Sequence, residues 1–252
     1  MLMSQRGFIC AIAHTGLRPQ KNRLDGHAAR DNRSVLKTRG ARLKTLLLAG
    51  ATGLVGQHVL RLALADPRVA GVVAPTRRAL TAHAKLINPV VDFDHLPPDA
   101  DWWTADAVVC ALGTTMAQAG SKLAFRRIDF ELPLQVAKLA LMHGATSYAL
   151  NSALGADAAS RVFYSRTKGE LEQALRAMRF PSLTLIRPGL MDGDRQESRP
   201  LERMGIWVSK ALAPLLPRRY RVVPAQRVAH HLLESALAGE AGVKVVPSEQ
   251  LL

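Results

Sequence analysis

The sequence predicts an α/β fold, a doubly wound parallel sheet in one domain with a small C-terminal segment on the substrate side. Two observations carry this. Short apolar runs alternate with long helical patterns through most of the chain, and a glycine-rich turn sits where the first run gives way to the first helix. Nearly half of the 252 residues are apolar, enough to bury a substantial core.

The elements follow in order. The apolar "TLLLA" after Lys44 reads as a strand. The pattern from Leu54 to Ala65, stopped by Asp66-Pro67, reads as a helix, and "VAGVVAPT" reads as the second strand. This βαβ unit of about thirty residues seeds a parallel sheet. Further strands are expected at "PVVDF" (89–93), "DAVVCALG" (106–113), "SYALNS" (147–152) and "LTLIRPG" (183–189), with helices over roughly 121–143 and 157–178. No internal repeat interrupts the rhythm.

The net charge of +14 is uneven: residues 1–44 hold ten Lys/Arg against two Asp, and the rest hold twenty-four against eighteen acidic residues. Residues 1–42 therefore read as a disordered basic extension, and 43–252 as the folded domain. The stretch from Arg18 to Lys44 is also compatible with a transit peptide or a misassigned start. The body has no zinc-finger, helix-turn-helix or RNA-recognition signature, so specific nucleic-acid binding is not expected. Two cysteines, Cys10 and Cys110, are too few for a disulfide framework, and the eight histidines lack metal-ligand spacing. The expectations are a cytoplasmic compartment and no metal. No apolar run is long enough to span a bilayer. The run "FICAIA" after Arg6 is shorter than a normal signal-peptide core.

Gly50, Gly53 and Gly56 in "GATGLVG" have a phosphate-binding spacing. The first permits the tight turn, the second lets backbone N–H groups approach a pyrophosphate, and the third allows close helix packing. Thr52, Leu54 and Val55 complete the candidate set. The second strand ends in "APTRR", where an NAD site would normally carry an acidic residue. Arg77 and Arg78 offer guanidinium forks for a 2′-phosphate, favouring NADP(H) over NAD(H). Solvated arginines opening a helix are the plain alternative. Asp92 is placed to accept a hydrogen bond from an adenine amino group, or simply ends a strand.

Tyr164 and Lys168, spaced i, i+4, share one helix face, where an ammonium can lower a phenol's pKa. Ser152 precedes Tyr164 by twelve residues at a strand end.

In this order, "GATGLVG", "ALGTT" and Tyr164-x-x-x-Lys168 resemble the atypical short-chain dehydrogenase/reductases. The stretches "VVDFDHL", "LGTTMAQAGSKLAFRRIDFELPL", "SALGAD" and "RPGLMDGDRQESRP" are similar to the Tat-interacting, metastasis-suppressor-type branch and its bacterial relatives, over residues 44–235. The resemblance implies a Rossmann domain carrying a nicotinamide cofactor. It makes Tyr164 the acid/base, Lys168 the group that lowers its pKa and holds the nicotinamide ribose, and Ser152 the donor to a substrate carbonyl. It places Leu112, Gly113 and Thr114 near the adenosine ribose, and Pro188 and Gly189 beside the nicotinamide. One departure stands out: many short-chain dehydrogenases place an asparagine on the helix after the fourth strand to maintain a proton relay, and near that place this chain reads "RRIDFELP", with Asp129.

Two functions follow. The first is an NADPH-dependent reductase of a small carbonyl-type substrate. The second is a non-catalytic NADPH-binding regulatory or scaffold protein with a protein partner or weak surface membrane association, motivated by the mixed basic and apolar segment 201–223. A lid over the substrate pocket is the plainer reading of that segment. The oligomeric state is not legible.

Overall fold

A computed structural model describes residues 42–192 and 217–252. The N-terminal extension and most of the segment 201–223 lie outside the described residues.

Strand β1 (Lys44–Ala49) occupies the centre of the sheet, and Leu46, Leu47, Leu48 and Ala49 are fully buried. A continuous apolar run is what a strand covered on both faces requires. Leu46 and Leu48 enter one core with Val59 and Leu232, whereas Leu47 and Ala49 enter the other with Val136 and Leu171. Alternate residues of one strand thus build the two cores. Each buried leucine contributes on the order of 1.5–3 kcal/mol.

Helix α1 (Leu54–Ala65) leads to β2 (Val69–Val73) and a short β3 (Leu86–Ile87); β4 (Ala107–Cys110) then returns to the other side of β1. Next come α2 (Met116–Ala119), α3 (Lys122–Arg126), a π turn (Arg127–Glu131) and α4 (Leu132–Met142). The chain continues through β5 (Ser147–Asn151), α5 (Phe163–Ala177), β6 (Ser182–Arg187) and β7 (Met191–Asp192). After the undescribed segment come β8 (Val223–Pro224), α6 (Ala225–Ala238) and β9 (Gly242–Pro247). Among the described residues, seven strands run parallel in the order β3-β2-β1-β4-β5-β6-β9, and β7 pairs with β8. The order reverses between β1 and β4. Their carboxyl ends therefore open a crevice at the switch point.

Three boundaries differ from the sequence reading. The third strand is at Leu86–Ile87, and from 89–93 only a bridge between Thr76 and Val90 survives. Pro89 supplies no N–H to extend the ladder. The helix expected over 121–143 opens into the π turn just before Pro133, whose ring cannot join a regular i to i−4 ladder. The helix expected from 157 begins at Phe163, because Asp157 holds the preceding residues in a turn: its side chain accepts from Ala159 N at 3.0 Å and its carbonyl accepts from Ser160 N at 3.0 Å.

Candidate functional site

The turn after β1 is built from backbone. Gly50 has φ +88°, a conformation that disfavours other residues, and its carbonyl accepts from Gly53 N at 3.1 Å. Gly53 caps α1 without a side-chain hydrogen bond, and the first helical turn holds no acidic residue. The N–H groups and the positive end of α1 are left for an anionic ligand. Gly56 lies beneath the turn, where an added Cβ would stand 1.9 Å from the Gly50 carbonyl oxygen. Its part is close packing.

Two adjoining hollows of about 650 and 660 Å³ share Thr52, Gly53, Leu112, Gly113 and Thr114. One extends past Arg77 and Asp92, the other past Ser152, Tyr164 and Lys168. Arg78 is not part of the lining, and its carbonyl accepts from the Thr76 hydroxyl at 2.7 Å. Asp92 lies in a loop beyond β3, not at a strand end. It accepts from the His95 ring at 2.8 Å and from Asp94 N at 2.9 Å. The His95 contact, followed by the Asp94 N–H, holds its carboxyl below the usual range. Arg127, which sequence reasoning missed, joins the same wall. It pairs with Asp94 at 3.1 Å and donates to the Phe93 carbonyl at 3.2 Å. Nothing in its local sequence marks it, since the pairing spans more than thirty residues.

At the other end, Lys168 is buried and its Nζ stands 2.7 Å from Asp129 Oδ1, with the two side chains 5% and 1% exposed. Thr114 N donates to Asp129 Oδ2 at 2.8 Å. Gly113 leaves room for the pair, because a Cβ there would come within 3.3 Å of Asp129 Oδ1. The Tyr164 ring packs against Phe125, centroids 5.5 Å apart. Burial raises the Tyr164 phenol above its ordinary value. The Lys168 ammonium opposes that, and the Asp129 carboxylate adds to it. Lys168 thus acts on the phenol in the expected direction, but burial, with Asp129 adding to it, leaves the net shift upward. Burial also works against the Lys168 charge, but the Asp129 carboxylate more than offsets it and keeps the ammonium protonated.

The Ser152 hydroxyl donates to Glu172 Oε1 at 2.5 Å, and Arg187 grips the same carboxylate at 3.0 and 2.5 Å. Asn151 Oδ1 is buried, lines the cleft with its residue, and meets no donor among the described residues. Pro188 and Gly189 stand at the end of β6 outside the lining. The Pro188 carbonyl accepts from Leu154 N at 2.8 Å, and Gly189 N donates to the Ser248 hydroxyl at 3.0 Å. Glu172 was legible only as another charge on α5. Its i+4 spacing from Lys168 is the one signal that places it on the buried face. Among the described residues no group of three His, Cys, Asp or Glu side chains is placed to hold a metal, and no helix is long and apolar enough to cross a membrane.

No protein-family model matches the chain. Among curated proteins, the chain is 35% identical over 184 residues to the protein fmp52, mitochondrial, of Emericella nidulans, covering 68% of this chain and 76% of that one. It is 32% identical over 207 residues to the protein HTATIP2 of Rattus norvegicus, covering 79% and 84%. Among solved structures, MoeE5 in complex with UDP-glucose and NAD superposes with a TM-score of 0.61 at 16% identity, over 80% of this chain and 74% of that one. The Bordetella bronchiseptica enzyme WbmG in complex with NAD and UDP gives a TM-score of 0.60 at 16% identity, over 85% and 75%. These two likenesses are of fold. The names of the fungal relatives overturn the cytoplasmic expectation, since they are called mitochondrial.

Proposed function

The chain belongs to the atypical short-chain dehydrogenase/reductases, in the branch of FMP52 and HTATIP2, and we propose from that membership that it binds NADP(H) in the cleft and reduces a small carbonyl-type substrate. The observation that carries the reading is the opening of one cleft onto both the uncapped N-terminus of α1 and the Tyr164–Lys168 face of α5.

The residues present fit such a cofactor. The backbone of Thr52, Gly53, Leu54 and Val55 suits a pyrophosphate, and a bulkier residue at Gly50 or Gly56 would collide with neighbouring backbone. Arg77, with Arg127 on the same wall, offers guanidinium groups to a 2′-phosphate. Leu112, Gly113 and Thr114 border the middle of the cleft, where the adenosine ribose belongs. Lys168 is the donor for the nicotinamide ribose, and the unpaired Asn151 Oδ1 can accept from a ligand at that end. When bound, the nicotinamide supplies the hydride.

The chain's own residues supply the proton and the positioning. Tyr164, a protonated phenol at neutral pH, donates its proton to the carbonyl oxygen as that oxygen becomes an alkoxide. Ser152 can hold the same oxygen as a donor only after its proton leaves Glu172 Oε1. Until then its hydroxyl offers lone pairs to the cleft.

The test is oxidation of NADPH by purified protein against a panel of small aldehydes and ketones. Tyr164→Phe is expected to lower turnover about 10²- to 10⁴-fold. A Tyr164→Phe protein at full turnover on an accepted substrate removes Tyr164 from the mechanism.

A further inference from the structure

Asp129 is the residue that most constrains the chemistry. The π turn ahead of Pro133 directs the Asp129 side chain inward, where it is fully buried. Both carboxylate oxygens are engaged, one by Thr114 N at 2.8 Å and the other by Lys168 Nζ at 2.7 Å. The carboxylate cannot swing away without stranding a buried ammonium, a costly arrangement.

We propose that Asp129 is a positioning residue that compensates the Lys168 charge, so that Tyr164 stands in the resting cleft as a proton donor rather than as a phenolate base. The inference rests on the reading of the cleft as a reaction site. A lone ammonium one helical turn from a phenol stabilises the phenolate. With a carboxylate in ionic contact, the phenol faces a pair whose two charges oppose each other, and burial then favours the neutral hydroxyl.

No other described charge restores the balance. From β4 the Cys110 thiol is buried behind the pair, and burial pushes its pKa up. From α3 the uncharged Phe125 ring packs on Tyr164, while Arg126 is taken up by Glu170. On the β5 side the Glu172 carboxylate is held by Arg187. The consequence is directional. The resting site is poised to protonate an alkoxide rather than to take a proton from an alcohol.

Tyrosinate formation can be followed by ultraviolet difference absorbance in the protein without cofactor. Subtracting the Tyr164→Phe titration isolates Tyr164 from Tyr148 and Tyr220. The expected Tyr164 midpoint lies at or above the ordinary value of about 10. Asp129→Asn, which keeps the shape and an acceptor for Thr114 N, is expected to lower it by about one to three units. A native midpoint below about 10, or an Asp129→Asn midpoint that does not move, overturns the proposal. The native titration decides alone if the variant does not fold. It needs neither cofactor nor substrate, so a failure of the reductase reading would be seen separately, as absent NADPH binding.

Discussion

Ser152, at the end of β5, donates its hydroxyl proton to Glu172 on the third turn of α5, at 2.5 Å. Arg187 at the end of β6 closes the same carboxylate from the other side. One buried carboxylate thus ties two strand ends to the helix that carries Tyr164 and Lys168.

Removing that carboxylate should loosen the floor of the cleft. Glu172→Ala leaves Ser152 and Arg187 without their shared partner. Because Arg187 is about one-third exposed and water can reach it, the expected loss is about 2–4 kcal/mol, below that of a fully buried pair. Urea unfolding measures it. A loss under about 1 kcal/mol would mean that the network is incidental.

Gly169, in the middle of α5, has no room for a side chain. A Cβ there would stand 2.1 Å from Ala158 N and 2.2 Å from the Asp157 carbonyl carbon. Gly169→Ala favours the helix intrinsically, yet it should destabilise the protein by about 1–3 kcal/mol through forced backbone shifts. Unchanged or increased stability in denaturant would show that the loop at 157–158 yields freely.

The two arginines after β2 should separate. Arg77 faces the cleft and Arg78 does not. Arg77→Ala is expected to weaken NADPH binding about 10- to 100-fold with little effect on NADH, and Arg78→Ala to change either by less than about threefold. Equal losses in both variants would point to general electrostatic attraction instead.

The His231 ring on α6 is half-buried. Burial first, and then the neighbouring His230 and Arg227, hold its pKa below the ordinary histidine value. The unfolded chain therefore binds a proton at a pH where the folded chain does not, and stability falls as pH drops through about 6.5 toward the folded value. His231→Gln should shrink the stability lost between about pH 7 and about pH 5, as read by denaturant unfolding at the two values. An identical loss in the variant would exclude His231 as a contributor.

Much of this was legible because local patterns and the fold agree. "TLLLA" could only be a strand covered on both faces, and the glycine spacing marked the turn that follows it. The helix of α6 was also legible, from apolar residues at 225, 228, 229, 232, 233, 236 and 237. Yet it escaped the sequence reading, as did β9, an edge strand whose first four residues are exposed and include Lys244. Within the site, Tyr164 and Lys168 announce themselves by spacing. The partners that decide their chemistry do not. Asp129 lies thirty-nine positions before Lys168 and meets it only because a π turn rotates it inward, and Glu172 looks in sequence like one more solvated charge.

The ligand proposed for the cleft at the switch point is a nicotinamide dinucleotide with a 2′-phosphate. Calorimetric titration of the purified protein with NADPH and, separately, with NADH tests it most directly. Saturable NADPH binding at least about tenfold tighter than NADH binding is expected. Binding of neither would contradict it, and would leave the glycine turn and the Tyr164–Lys168 face as parts of a scaffold without a cofactor.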